Sequence, residues 1–147
     1  MDYLELFDRQ GHAFDNLLMA AAKLKPEEFT EPGPGGGASL RDLLVELLDT
    51  QRRFVHGVLL GRRHVPLVAE RIPSPLALGP VFGGFRLTLL DLIEDLGPAD
   101  LAREVRVPDD VGGEATWTVD AVLKHLIAED ARLAGLAAER LRRLREG

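Results

Sequence analysis

The stretch of residues 117–135 constrains the fold most strongly, because its apolar side chains recur every three or four positions. This spacing places them on one face of an α-helix. The members of that face, which continues one turn further, are Val119, Val122, Leu123, Leu126, Ile127, Leu133 and Ala137. His125 and Glu129 lie four residues apart, so they stand one above the other on one flank of the helix. We predict a long amphipathic helix that is capped by Thr118 and continues to about Arg145.

Three other segments show the same helical periodicity. The first covers about residues 2–25, the second extends from Ser39 to about residue 60, and the third covers residues 81–96. The Ser39 hydroxyl can accept a hydrogen bond from a free N–H of the first turn, and Asp42 adds negative charge at the positive end of the helix. Four amphipathic helices without convincing strands predict an all-α four-helix bundle.

The connections between these helices differ in length and composition. Residues 61–80 contain four prolines and are too long for a tight turn, so we expect a crossover along the bundle between helices 2 and 3. Residues 31–37 are rich in glycine and proline and form a flexible connector. Residues 99–116 are irregular, with a brief extended piece at 105–107 and a turn at 110–113. No domain boundary is visible, so residues 1–147 form a single domain.

Composition excludes several classes of function. The formal net charge of −6 argues against non-specific binding to nucleic acid or to an anionic membrane surface. The absence of cysteine excludes a disulfide scaffold, a thiol nucleophile and a zinc–thiolate site. The N-terminus lacks a basic segment followed by an apolar run, and no apolar stretch approaches the length of a membrane span. We therefore expect a cytoplasmic protein without nucleic-acid or membrane partners.

Three polar residues fall on or near faces that the periodicity predicts to be apolar. Asp130 lies between Ile127 and Leu133 on the fourth helix, Gln51 lies within the face of the second, and Arg86 lies near that of the third. A buried charge without a partner costs several kcal/mol. Asp130 is therefore expected to pair with Arg86 or to accept a hydrogen bond from Gln51. The contact is either a structural one or the floor of a ligand pocket.

Residues 39–50 and 117–130 together resemble the DinB-like superfamily. These are DNA-damage-inducible four-helix-bundle proteins, and they include thiol-dependent transferases. The resemblance covers most of the chain, and the Trp-Thr-Val lead-in to a histidine-bearing last helix is its most specific part. It implies a divalent metal, often nickel or zinc, that three histidines hold: one from the second helix and two, spaced four apart, from the fourth. Imidazole nitrogens suit both metals.

The residues at the three ligand positions depart from that pattern. Carried over position by position, the ligands fall on Glu46, Glu129 and Leu133, none of which is histidine. His125 matches a histidine one turn earlier that is not usually a ligand. The resemblance therefore implies that the metal site is lost, or that Glu46, His125 and Glu129 rebuild it as a less selective site for zinc, manganese or iron. Otherwise His125 and Glu129 form an ordinary polar pair on the helix flank.

Two classes of function follow from these observations. The first is a metal-free bundle without a cofactor that binds a small apolar ligand or a partner protein, or that has a stress-related role. The alternative is a divergent enzyme of the thiol-transferase type, in which zinc or nickel at Glu46, His125 and Glu129 would activate a small thiol. The resemblance also implies a homodimer, and the strongly apolar helix faces agree with that expectation.

Overall fold

The computed structural model describes residues 2–146, so Met1 and Gly147 of the predicted single domain lie outside the described residues. The α-helices run over Tyr3–Ala21 (α1), Pro26–Thr30 (α2), Leu40–Arg52 (α3), Leu78–Glu94 (α4), Pro98–Leu101 (α5) and Val119–Glu146 (α6). A π-helical segment, Arg53–Leu59, continues α3. Two strands, Glu104–Pro108 (β1) and Glu114–Thr118 (β2), precede α6, and short 3-10 turns occupy Pro34–Gly36, Ala69–Arg71 and Pro75–Ala77.

The predicted all-α four-helix bundle is confirmed. Helix α6 packs along α3 and α1, and α4 completes the bundle against α1. The centre of the bundle consists of branched aliphatic side chains that are almost completely buried, and burying each one contributes roughly 2 kcal/mol. They include Leu40, Leu44, Leu48, Val122, Leu123, Leu126 and Leu133. The register between α1 and α6 is fixed by polar contacts as well, since Gln10 Nε2 donates to the Ile127 carbonyl oxygen at 3.0 Å.

The predicted helix caps are present. Ser39 Oγ accepts from the Asp42 N–H at 3.1 Å, and the Ser39 N–H donates to the Asp42 carboxylate at 3.2 Å. Thr118 Oγ1 accepts from the Ala121 N–H at 3.1 Å at the start of α6. These bonds satisfy backbone donors that the first helical turn leaves free.

The segment that leads into α6 differs from the prediction. Residues 104–118 form an antiparallel hairpin, in which Trp117 lies opposite Val105 and is not helical. Val105 and Val107 are buried while their neighbours are exposed, so β1 alternates in the manner of a half-buried strand. The turn at 110–113 is present, and the Asp109 carboxylate accepts from the N–H groups of Val111 and Gly113 there.

The second long helix changes its winding at Arg53. From there to Leu59 it is a π-helix, and the Leu60 N–H donates to the carbonyl oxygen of Val55, five residues earlier, at 2.9 Å. Gly61 then adopts a φ of 62°, a left-handed conformation that ends the helix at the predicted place. The long crossover that follows, residues 61–80, is attached to α3 by a hydrogen bond, in which the Leu67 N–H donates to Asp49 Oδ1 at 2.9 Å.

Helix α4 is unusually apolar on its outer side. Arg86 is the single charged residue between Pro75 and Leu90, and the segment Pro75–Glu94 has a mean hydropathy of 1.5 over 18 residues, of which 28% are buried. By length and composition alone it is apolar enough to cross a membrane, which corrects the expectation that no stretch approaches that length. Within the bundle, however, it packs against α1, and Leu76 and Leu87 are exposed.

Candidate functional site

The buried polar contact predicted from the sequence is formed by Gln51. Gln51 Nε2 donates to Asp130 Oδ1 at 2.5 Å, and the two residues are 7% and 5% exposed. The bond joins α3 to α6 in the interior of the bundle. It satisfies one oxygen of a carboxyl group that is almost fully buried.

Arg86 does not pair with Asp130, because two carboxylates on α1 hold it. Its Nη2 lies 2.6 Å from Asp8 Oδ1, and its Nη1 lies 3.5 Å from Asp15 Oδ2. The guanidinium group crosses α1 at Gly11, where a Cβ atom would come within 3.0 Å of Arg86 Nε. A glycine that weakens helix α1 therefore makes room for the ion pairs between α1 and α4.

Gln51, Arg86 and Asp130 nevertheless line the same internal cavity. Its volume is about 10 Å³, which is at most enough for one water molecule. The cavity beside Asp130 has no room for a ligand larger than water. Burial raises the pKa of Asp130 to about 7, and the hydrogen bond from Gln51 offsets only part of that increase.

The three side chains of the hypothesised rebuilt metal site have other partners. Both carboxylate oxygens of Glu129 accept from the Arg132 guanidinium group, at 3.3 and 2.9 Å. Glu46 is exposed, and its charge adds to the effect of Glu129 in raising the pKa of Arg132. His125 lies in an aromatic cluster with Phe54 and Trp117, each with its ring centroid 5.2 Å away.

These residues do not fit the divalent metal that the resemblance implies. Leu133, at one ligand position, is buried and has no donor atom. The oxygens of Glu129 already face a guanidinium cation. Across residues 2–146, no group of three histidine, aspartate or glutamate side chains lies close enough to hold one metal ion.

A larger cavity, which sequence reasoning missed, lies between the π-helical segment and the hairpin. This hairpin cleft has a volume of about 470 Å³. Its walls are residues 53, 54, 57 and 58 of the π-helix, His64 of the crossover, and residues 106–110 and 114 of the hairpin. The apolar side chains of Phe54, Val58, Val107 and Pro108 line it together with charged groups of both signs. A π-helix inside an α-helix frequently marks a functional site.

Charged groups in the cleft are partly neutralised by one another. Arg106 Nη1 lies 3.6 Å from Glu114 Oε2, across the two strands. Asp109 is used by the turn. Within residues 2–146, Arg53 forms no ion pair, and its guanidinium carbon lies 5.2 Å from the centroid of the Phe54 ring.

The fold and the cleft define a helical-bundle protein with a wide cavity outside the helical core, beside a short hairpin. A family model of the DinB superfamily matches residues 11–136. The chain belongs to the DinB superfamily. A search of curated proteins finds no match to it.

The buried carboxyl group of Asp130 leads to a prediction about the pH dependence of stability. Its pKa is higher in the folded protein, about 7, than the ordinary 3.8. Folding therefore favours the protonated form, and the contribution to stability falls as the pH rises from about 4 to about 7. Relative to wild type, Asp130→Asn should be nearly neutral at low pH and should raise the free energy of unfolding by up to roughly 4 kcal/mol above pH 7.

Urea unfolding of both proteins across that pH range is the measurement. The quantity to compare is the difference in the free energy of unfolding between wild type and Asp130→Asn at each pH. The other carboxylates titrate equally in both proteins, so their contributions cancel. Asp91→Asn, on the exposed side of α4, controls for the substitution itself. A difference between wild type and Asp130→Asn that stays constant with pH would contradict the raised pKa of Asp130.

Proposed function

We propose that this member of the DinB superfamily binds a small molecule in the hairpin cleft and does so without the three-histidine metal site. The observation that carries the proposal is the cleft itself. Its volume of about 470 Å³ falls within the roughly 300–1,000 Å³ that is typical of small-molecule sites. Phe54, Val58 and Val107 provide an apolar surface, and charged groups at the rim provide polar contacts.

The substitutions at the family's ligand positions support a metal-free function. Arg132 binds Glu129 with two hydrogen bonds and supplies the positive charge that a metal would bring to two carboxylates. A thiol-transferase activity would need an open metal position for a thiol. We therefore rank the metal-dependent transferase as the alternative, with Glu46, His125 and Glu129 as its ligands. A stress-related role for the metal-free protein stays a proposal from the resemblance.

We also propose that the protein is a cytoplasmic homodimer that uses the outer side of α4. Leu76 and Leu87 are 77% and 69% exposed, and a side chain at Gly79 or Gly83 would meet only open space. An isologous interface brings the same surface of two subunits together. From Leu76 to Leu87 the outer surface carries no charge, because the guanidinium group of Arg86 lies against α1, so this part meets itself without repulsion and its glycines allow close approach. The net charge of −6 supports the absence of a nucleic-acid partner.

Filling the hairpin cleft should abolish ligand binding. We expect N-phenyl-1-naphthylamine, a neutral aromatic probe, to bind wild-type protein with enhanced fluorescence and to bind Val58→Trp at least about tenfold more weakly, since loss of well-packed apolar contact costs roughly 1.4 kcal/mol or more. Leu136→Trp, at an exposed position on α6, is the matched control. Equal binding to wild type and Val58→Trp would refute the cleft as the site.

Metal content distinguishes the two classes of function. Elemental analysis of protein purified without an affinity tag or chelator should find far less than one zinc, nickel, manganese or iron per chain, because Arg132 occupies the oxygens of Glu129. His125→Ala should have the same content. A stoichiometric metal that His125→Ala loses would favour the transferase alternative.

Introducing a charge on the outer side of α4 should dissociate the dimer. Sedimentation equilibrium should give twice the chain mass of 16.1 kDa for wild type and the single mass for Leu87→Glu. Two glutamates would face each other across the two-fold axis and repel. Val111→Glu, at an exposed position in the hairpin turn, should remain dimeric. A monomeric wild type would overturn the proposed interface.

A further inference from the structure

The distribution of charge along the chain is strongly uneven around the hairpin cleft. Between Asp49 and Glu70 there is no acidic residue, although the whole chain has a net charge of −6. The same segment holds six basic or titratable side chains: Arg52, Arg53, His56, Arg62, Arg63 and His64. It runs from the end of α3 through the π-helix into the crossover, and two of its members, Arg53 and His64, line the cleft.

Arg53 is the cation best placed to bind a ligand. It is exposed, and within the part of the chain that the structure describes it makes no hydrogen bond or ion pair with a carboxylate. Its guanidinium group lies 5.2 Å from the centre of the Phe54 ring, so the charge is held above the aromatic surface of the cleft. A guanidinium group binds an oxyanion with two parallel hydrogen bonds, which gives direction as well as affinity.

His64 supplies a second, independent indication of a missing acceptor. Its side chain is only 12% exposed, and neither ring nitrogen has a hydrogen-bond partner among residues 2–146. Nε2 lies 3.3 Å from Asp49 Oδ1 without the geometry of a hydrogen bond, and that oxygen already accepts from the Leu67 N–H. A buried imidazole has at least one N–H, and buried donors are normally paired.

Basic side chains outnumber acidic ones on this side of the cleft, where the carboxylate of Asp49 lies 3.3 Å from His64 and is also paired with Arg52 at 3.4 Å. Burial lowers the pKa of His56, and the neighbouring charges of Arg52, Arg62 and His64 lower it further. A positive local potential of this kind attracts anions. It acts on a ligand in the cleft together with Arg53.

The opposite wall limits how much negative charge a ligand can carry. Arg106 and Glu114 neutralise each other, and Asp109 is engaged by the backbone of the turn. Asp110, which also lines the cleft, forms no ion pair within residues 2–146. A phosphate, with nearly two negative charges, would meet repulsion from this carboxylate, whereas a singly charged group near Arg53 would not be penalised as strongly.

We propose that the hairpin cleft binds a small organic acid with one negative charge and an aromatic or aliphatic body. The anionic group lies between Arg53 and His64, and the apolar body lies against Phe54, Val58 and Val107. This inference rests on the proposed small-molecule function and adds the chemical class of the ligand. Neutral molecules of the same shape bind more weakly, because they leave the His64 donor without an acceptor.

Two fluorescent probes that differ by one anionic group test the proposal. 8-Anilinonaphthalene-1-sulfonate carries a single negative charge, and N-phenyl-1-naphthylamine is the same ring system without it. Wild-type protein should bind the sulfonate at least about tenfold more tightly, since hydrogen bonds to a charged group are roughly twice as strong as those between neutral groups. Emission of Trp117, the single tryptophan, reports binding in the cleft, because its ring stacks on Phe54 at 6.2 Å.

Variants distinguish the contribution of the anionic group to binding from that of the apolar cleft. Arg53→Gln should weaken binding of the sulfonate about tenfold more than it weakens binding of the neutral probe, whereas Arg63→Gln, in the same basic segment but outside the cleft, should change neither. Added salt should weaken binding of the sulfonate alone. Val58→Trp shows whether either probe occupies the cleft.

The outcomes distinguish this inference from the proposed function. If both probes bind in the cleft with equal affinity and Arg53→Gln has no effect, the anionic class is wrong and the small-molecule function stands. If neither probe shows binding that Val58→Trp abolishes, both proposals fall. A preference for the sulfonate that Arg53→Gln removes and Arg63→Gln keeps supports the inference.

Discussion

The hydrogen bond between Gln51 and Asp130 is the constraint on which the interior of the bundle depends. It joins α3 to α6 at a point where both side chains are more than nine-tenths buried. An unpaired carboxyl group at that depth would cost several kcal/mol, so the register between these helices cannot shift without a large penalty. Two residues after Gln51, the helix changes to π-winding. The packing of α3 on α6 is thus fixed immediately before the segment that turns Phe54 toward the hairpin, and the position of the cleft follows from that register.

The bundle was predictable from the sequence because helix faces are encoded locally. The spacing of apolar residues in α6 and the Ser39 and Thr118 caps depend on side chains within one or two turns. The sequence did not decide which residue pairs with Asp130, because both Arg86 and Gln51 were possible partners. The choice depends on Gly11, which opens a path for Arg86 to reach Asp8 and Asp15 on another helix.

The hairpin was missed because only five residues per strand alternate, and Val105 gains its burial from a segment far away in the chain. No pattern in residues 53–59 distinguishes a π-helix from an α-helix, so the cleft beside this segment could not be predicted from the sequence.

In the metal-free protein that we propose, Arg132 takes over beside Glu129 the electrostatic role of the metal that the resemblance implies. A metal ion between two helices supplies positive charge to its ligands. Here a guanidinium group on α6 supplies that charge to Glu129 and interacts with Glu46 on α3. The third position became Leu133, which is buried and contributes to the core. Each exchange keeps the local electrostatic or packing requirement satisfied, so the fold tolerates them. Catalysis that requires an open coordination position would not survive the same exchanges, so in the metal-free protein that we propose, membership of the family does not imply its chemistry.

The location of the basic segment also determines how an anion would associate with this protein. The net charge of −6 repels a negatively charged ligand at long range, while Arg53 and the other positive groups between Asp49 and Glu70 attract it at short range. The Debye length is about 8–10 Å at physiological ionic strength, so distant carboxylates are screened, but groups within the cleft are not. The local field therefore dominates once a ligand is near the cleft entrance. Lowering the ionic strength strengthens both the distant repulsion and the local attraction. At low ionic strength the association rate therefore rises less than the lifetime of the complex does. In a uniformly basic protein the long-range field also attracts the anion, so the association rate would rise more.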